Sequence, residues 1–156
     1  MDSFQLEKDR WGDDDFGQMG WHDATIWSFH ANPDQFEFLL DLDYIFKWVK
    51  PQKDESFFKF WVAPVTMVFS NAHSVDIDIE SPQGTLEIAD LHRGEPEPTP
   101  NQKATQQSYR FECQEGAISL VATGFELFVR AAPELLGVQS LGLSQRGGIS
   151  FERELK

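Results

Sequence analysis

The sequence predicts an all-β fold, an antiparallel β-sandwich or flattened barrel of about eight to ten strands. Three observations carry that expectation. Apolar and polar residues alternate with a period of two in several separate runs, the longest from Phe36 to Trp48. Clusters of Gly, Pro, Asn and Asp recur between the runs as turn signals. Fourteen Phe and five Trp supply the bulky side chains that fill sheet cores. A chain of 156 residues fits one domain, with enough core to hold without covalent staples.

Residues 1–20 are acidic and without regular period, and Asp13-Asp14-Asp15 lies between Gly12 and Gly17. This segment is expected to be loosely ordered, with Phe4, Leu6, Trp11 and Phe16 as anchors, ahead of a single β domain over 21–156. Thr25–His30 reads as a first strand, and Asn32-Pro33-Asp34 turns it into the long run 35–48. At about 3.3 Å per residue that run is longer than most strands, so a bend is expected near Asp43–Phe46. Its even positions, Phe36 to Trp48, form a core face; Asp41 and Asp43 belong to the other, expected to be solvated.

Ser56–Phe69 is apolar on both faces and contains Pro64, which marks an edge, a bulge or a break. Cover on both faces is expected, with the N-terminal anchors as candidates. Val75, Ile77 and Ile79 alternate with Asp76, Asp78 and Glu80, a half-buried strand. The run Gly94–Asn101 holds three prolines and two glutamates and reads as an extended, solvated loop. Tyr109, Phe111 and Cys113 alternate with polar residues, and Ile118, Leu120 and Ala122 follow a Glu115-Gly116 turn. Thr123-Gly124-Phe125-Glu126 has the form of a capping box, so one short helix is expected near 124–131, with a strand through Phe125, Leu127 and Val129 as the competing reading. Gln139–Ser144 and Ile149–Glu154 are expected to close the chain as a hairpin around Gly147-Gly148.

The net charge is −13 and unevenly placed: residues 1–45 and 73–102 are strongly acidic, while 103–156 carry acids and bases in balance. Such a field disfavours nucleic acids and anionic membranes and favours a basic protein partner. Met1 is followed by Asp2, Glu7 and Asp9 rather than by a basic and then apolar leader. The one cysteine, Cys113, allows no internal disulfide. Both features suit a cytoplasmic protein.

Motifs for chemistry are sparse. His22-Asp23 contains a base and a carboxylate, yet neighbours on an extended segment point apart, and no nucleophile motif accompanies them. The pair marks a possible pocket for a small ligand or a hydrolase-type reaction, and no catalytic residue is assigned. Asp41 with Asp43 and Asp76 with Asp78 share strand faces in pairs. If their strands were neighbours, the four would form one acidic patch able to meet a basic partner or a hard cation. The four histidines lack zinc spacing, no phosphate-binding glycine loop is present, and no metal or cofactor is expected.

Trp21-His22-Asp23-Ala24-Thr25-Ile26, Phe60-Trp61-Val62-Ala63-Pro64, Val68-Phe69-Ser70-Asn71 and Phe111-Glu112-Cys113-Gln114, with the long strand and Ala122–Phe125, resemble an uncharacterised family of small bacterial all-β proteins. The likeness implies no activity. A looser one, in size, acidity and the His-Asp pair, is to immunity partners of bacterial toxins. Together these lead to a non-enzymatic bacterial interaction protein that uses Asp41, Asp43, Asp76 and Asp78 against a basic partner. The alternatives are a ligand site at His22 and Asp23, and a structural homo-oligomer paired through an edge strand.

Overall fold

The computed structural model describes residues 3–156. Its strands are β1 (Arg10–Gly12), β2 (Thr25–Asn32), β3 (Glu37–Val49), β4 (Lys59–Ser70), β5 (His73–Ile79), β6 (Ile88–Arg93), β7 (Glu97–Pro98), β8 (Thr105–Cys113), β9 (Gly116–Ala122), β10 (Gly124–Val129) and β11 (Glu134–Leu136). They form two antiparallel sheets, one in the order β1-β10-β4-β3-β2 with β11 also on β4, the other β5-β9-β8-β6 with β7 on β8. The architecture is an open sandwich rather than a closed barrel. No helix of the described residues is long and apolar enough to cross a membrane.

The core lies between the sheets. Leu40, Leu42, Met67 and Phe69 of the first meet Tyr109, Phe111, Ile118 and Leu120 of the second. Alternation along β3 puts Phe38, Leu40, Leu42 and Tyr44 into this core, opposite Phe69, Met67, Val65 and Ala63 of β4. Each fully buried Leu or Phe contributes about 1.5–3 kcal/mol by leaving water. The expected bend in the long strand is a register shift between Ile45 and Lys47. Beyond it the pattern loosens: Trp48 is 40 % exposed, and Phe36, just before the strand, is 65 % exposed.

The first sheet is also covered on its outer side. Leu39, Asp41, Asp43 and Ile45 are all buried, as are Val62, Thr66 and Val68 of β4. Residues 137–156 run across them as an irregular strap. Leu141 packs with Ile45, Phe60 and Val62, and the Thr66 hydroxyl donates to the Glu152 carbonyl at 2.5 Å. The cover expected over the Ser56–Phe69 run is thus supplied from the C-terminus on this face. The N-terminal anchors serve the inner side: Leu6, Trp11 and Phe16 pack against the inter-sheet core, Phe4 against Phe46 and Trp61, and Trp11 against Phe46.

Three expectations need correction. The segment 124–131 is strand β10 rather than a helix: Phe125, Leu127 and Val129 point into the core, and the backbone pairs with both β1 and β4. A six-residue helix would forfeit those ladders for few bonds of its own. The terminal hairpin does not form, although Gly147 and Gly148 do turn the chain at φ 80° and 83°. Its flanks spend their amides elsewhere, Leu141 donating to Asp43 and Ser150 to Asp41. The N-terminal segment is built in: β1 pairs with β10, and the 3-10 turn Asp13–Gln18 is fastened by Asp13, which accepts from the Tyr109 hydroxyl at 2.6 Å and the Phe125 amide at 2.7 Å.

Pro64 stands inside central strand β4 at no cost to pairing. Its carbonyl accepts from Arg130 N, so its nitrogen faces the same side, where β10 ends at Val129 and β11 has not begun. The missing donor falls in that gap.

Candidate functional site

Asp41 and Asp43 are not solvated: both are fully buried beneath the strap. Asp41 accepts from Arg146 Nη2 at 2.6 Å and Nη1 at 2.8 Å, from Arg130 Nη2 at 2.8 Å and from the Ser150 amide at 3.0 Å. Asp43 accepts from Arg146 Nε at 3.0 Å, Trp27 Nε1 at 2.8 Å and the Leu141 amide at 2.9 Å. The Arg146 guanidinium sits 5.0 Å from the centre of the Trp27 ring. Burial opposes the charge on Arg146, but the two carboxylates outweigh it and raise its pKa above the ordinary value. Two acids and two arginines cancel, so the cluster carries no net charge. It binds the strap to the sheet, and its two carboxylates, fully buried and balanced by arginine, offer a partner neither an exposed oxygen nor a net charge. The reading of Asp41 and Asp43 as partner-binding residues is therefore corrected.

His22 and Asp23 lie before β2. Asp23 has φ 68°, and its amide donates to the Ile88 carbonyl. The turn brings Asp23 Oδ1 within 3.6 Å of His22 Nε2. His22 itself is exposed and stacks on Trp48 at 5.9 Å. Glu87 lies close enough to Asp23 and Glu115 to feel both: burial first, and those two carboxylates next, raise its pKa. Among the described residues no serine, threonine or cysteine is bonded to His22, whose ring nitrogens meet Ala89 O and Asp23, and His22 lines none of five surface clefts.

Asp76 and Asp78 fare differently. They lie on β5, an edge strand of the second sheet, and both are exposed. The shared face expected from their spacing is present, but it is the outer face of the second sheet, across the whole sandwich from Asp41 and Asp43. What they do join follows from register. Asp78 lies opposite Ala117, Ala117 opposite Glu112, and Glu112 opposite Asp90. The next row runs Asp76, Ser119, Arg110, His92. Directly opposed residues share a face, so four carboxylates stand on one exposed surface with Arg110 as the one permanent cation of these two rows. His92 Nε2 lies 2.8 Å from Glu112 Oε1.

Strands are about 4.8 Å apart and alternate residues about 7 Å apart. Asp76 with Asp78, and Glu112 with Asp90, therefore sit within about one Debye length of each other at physiological salt, about 8 Å, and reinforce each other, while the two pairs face a partner side by side. Small residues at Ala117 and Ser119 leave a shallow trough between the flanking charges. Asp90 and Glu112 were missed in the sequence, although the alternation that places Glu112 on a polar face was visible. Their meeting with Asp78 depends on strand order, which alternation does not encode. Among the described residues, no group of three or more His, Cys, Asp or Glu is arranged to hold a metal ion.

Comparison of the chain with protein-family models, with curated proteins and with solved structures found no match.

Proposed function

We propose that this is a non-enzymatic interaction protein whose outer β5-β9-β8-β6 face binds a basic surface on a protein partner. The carrying observation is the clustering of Asp76, Asp78, Asp90 and Glu112 on one exposed face with a single arginine among them. A field of this sign steers a basic partner and speeds its association. The loose likeness to toxin-immunity proteins suggests one such partner, a toxin domain whose cleft is basic because its substrate is a nucleic acid.

The free edge of β5 gives the partner a second handle. Val75 and Ile77 are each 41 % exposed, and the unpaired backbone beside them accepts an added strand. Pairing with the same strand of a second copy would set Asp76 and Asp78 near their own like charges, which is unfavourable. A lysine-bearing strand suits this edge better.

The test compares the wild type with an Asp76→Lys/Asp78→Lys/Glu112→Lys variant. Each is used to capture partners from native lysate, and the association rate of the captured protein is followed against salt. The expected result is a rate that falls steeply with salt and drops by about tenfold or more on charge reversal. A rate indifferent to both changes refutes the reading, and light scattering on the isolated protein identifies the homo-oligomer.

A further inference from the structure

The end of the sandwich where β4 turns into β5 and β9 into β10 holds a cleft of about 560 Å³, within the roughly 300–1,000 Å³ usual for small-molecule sites. Phe36, Asn71, His73, Asn101, Lys103 and Gln106 are among its lining residues. Three further observations single it out. First, the backbone is strained around it. Among the described residues, five that are not glycine have positive φ, and four of them gather here: Phe36 at 58°, Asn71 at 52°, Ser74 at 54° and Gln102 at 59°. An aromatic residue in the left-handed region is unusual, and such strain concentrates where a ligand is held.

Second, Phe36 leaves 65 % of itself in water, although its backbone is fixed at both ends, its amide donating to the Pro33 carbonyl and its carbonyl accepting from the Ala72 amide. It is an aromatic platform held out to solvent on a fixed backbone. Third, the polar wall is held in place before any ligand arrives. His73 Nε2 lies 2.9 Å from the Oε1 of buried Gln106, and Asn71 Nδ2 donates to the Thr123 hydroxyl at 3.0 Å. Against the expectation of an extended, solvated run over Gly94–Asn101, the chain from Thr99 to Ala104 is closed on itself by Thr99, which bonds the backbone of Ala104 and the side chain of Asn101. Asn101 spends its Oδ1 on Thr99 and Lys103, so its amide nitrogen remains as a donor. Lys103 pairs with no carboxylate among the described residues.

The chemistry of the lining narrows the ligand. An anion would meet one lysine and the field of a chain of net charge −13. A cation would find no pair of carboxylates in the lining. A wholly apolar ligand would bury the Oδ1 of Asn71 and the Nδ2 of Asn101, the side-chain atoms that the wall leaves open, without partners, at about 1–3 kcal/mol each. A neutral ring with one apolar face and hydroxyls around its rim satisfies both the platform and the wall.

We propose that this cleft is a carbohydrate site: one sugar ring stacks on Phe36, and its hydroxyls are taken by Asn71, Asn101 and Lys103. The test is a titration of the full chain, followed by amide NMR shifts, with cellotriose, maltotriose and triacetylchitotriose. At least one of the three should produce saturable shifts at residues 36, 71, 73 and 99–104, with a dissociation constant of about 1 mM or tighter. Phe36→Asn keeps a side chain that tolerates positive φ and removes the platform, so it should fold as the wild type and bind at least tenfold more weakly. Asn101→Ala, on a surface loop, should weaken binding several-fold by loss of a donor, and Trp48→Ala, outside the cleft, should leave it unchanged. The proposal is overturned if none of the three sugars shifts these amides at about 10 mM. It is also overturned if folded Phe36→Asn binds as tightly as the wild type, or if Trp48→Ala loses binding instead.

Discussion

Replacing Arg146 by Met tests the account of the buried cluster. The substitution keeps most of the side-chain volume and removes three bonds to carboxylates: Nε to Asp43, and Nη1 and Nη2 to Asp41. Asp41 retains Arg130 and the Ser150 amide. Asp43 retains Trp27 and the Leu141 amide, both on Oδ2, and its Oδ1 is left bare. One negative charge is then uncompensated at two fully buried carboxylates. Breaking a buried pair from one side costs about 3–5 kcal/mol, a large part of the roughly 5–15 kcal/mol that holds a domain together. With a urea slope of about 2 kcal/mol per molar, the unfolding midpoint should fall by about 2 M. The second variant supplies the control. Asp43→Asn leaves an oxygen for Trp27 and Leu141 but removes the charge, so in the Arg146→Met background it should restore at least about 1 kcal/mol, while in the wild type it destabilises. A loss below about 1 kcal/mol for Arg146→Met, or a further loss on adding Asp43→Asn, would refute the reasoning.

Three other outcomes follow from the same structure. Leu42→Ala removes a fully buried side chain from the centre of β3 and should cost about 2–5 kcal/mol in urea denaturation. Gly116→Ala places a Cβ 2.0 Å from the Asp78 carbonyl oxygen at φ 145°; it should lower the melting temperature by several degrees and loosen β5, seen as faster amide exchange at Asp76–Ile79. Cys113 is buried, and burial pushes its thiol up to about 11 from 9.0, as it pushes Tyr44 up to about 12 from 10.0. Both groups favour the folded state while neutral, so their contribution is complete below pH 9 and declines as pH rises from about 9 towards 11–12. Urea midpoints across that window should fall, less so in Cys113→Ala, and Cys113 should resist a thiol reagent at neutral pH until the chain unfolds.

Much of the sandwich was legible because alternation reports burial directly. The runs at 36–48, 75–80 and 109–114 became β3, β5 and β8, and even the bend in β3 was placed within its own window. What misled was the outer face of β3. Its Asp41 and Asp43 have the spacing of a solvated face, and alternation cannot distinguish a carboxylate facing water from one facing arginine. The signal lay more than 100 residues away, in Arg146, whose two flanking glycines resembled a hairpin turn. The β10 segment failed for a different reason. Thr123 and Glu126 have capping-box spacing, a local preference that loses to ladders with two distant strands and to the burial of Phe125, Leu127 and Val129. The end cleft had no sequence signature, since its lining comes from four separate turns and its positive φ residues are not glycines.

The strap also explains why an acidic chain concentrates its charge. Residues 103–156 are electrically balanced, and their arginines go chiefly to the first sheet: Arg146 and Arg130 to Asp41 and Asp43, and Arg153 to Glu37 at 2.7 Å. The acids of residues 73–102 receive no such supply, so their own surplus stays on the second sheet. If that surplus served solubility alone, its position would be immaterial. Neutralising Asp76, Asp78, Asp90 and Glu112 to their amides would then act like neutralising four exposed acids elsewhere, for example Glu7, Asp54, Glu95 and Glu154. Both variants lose the same four charges, so both should lose solubility alike. Under the proposed function only the first should also lose its basic partner, and its association rate, measured beside that of the second at equal net charge, decides between the two.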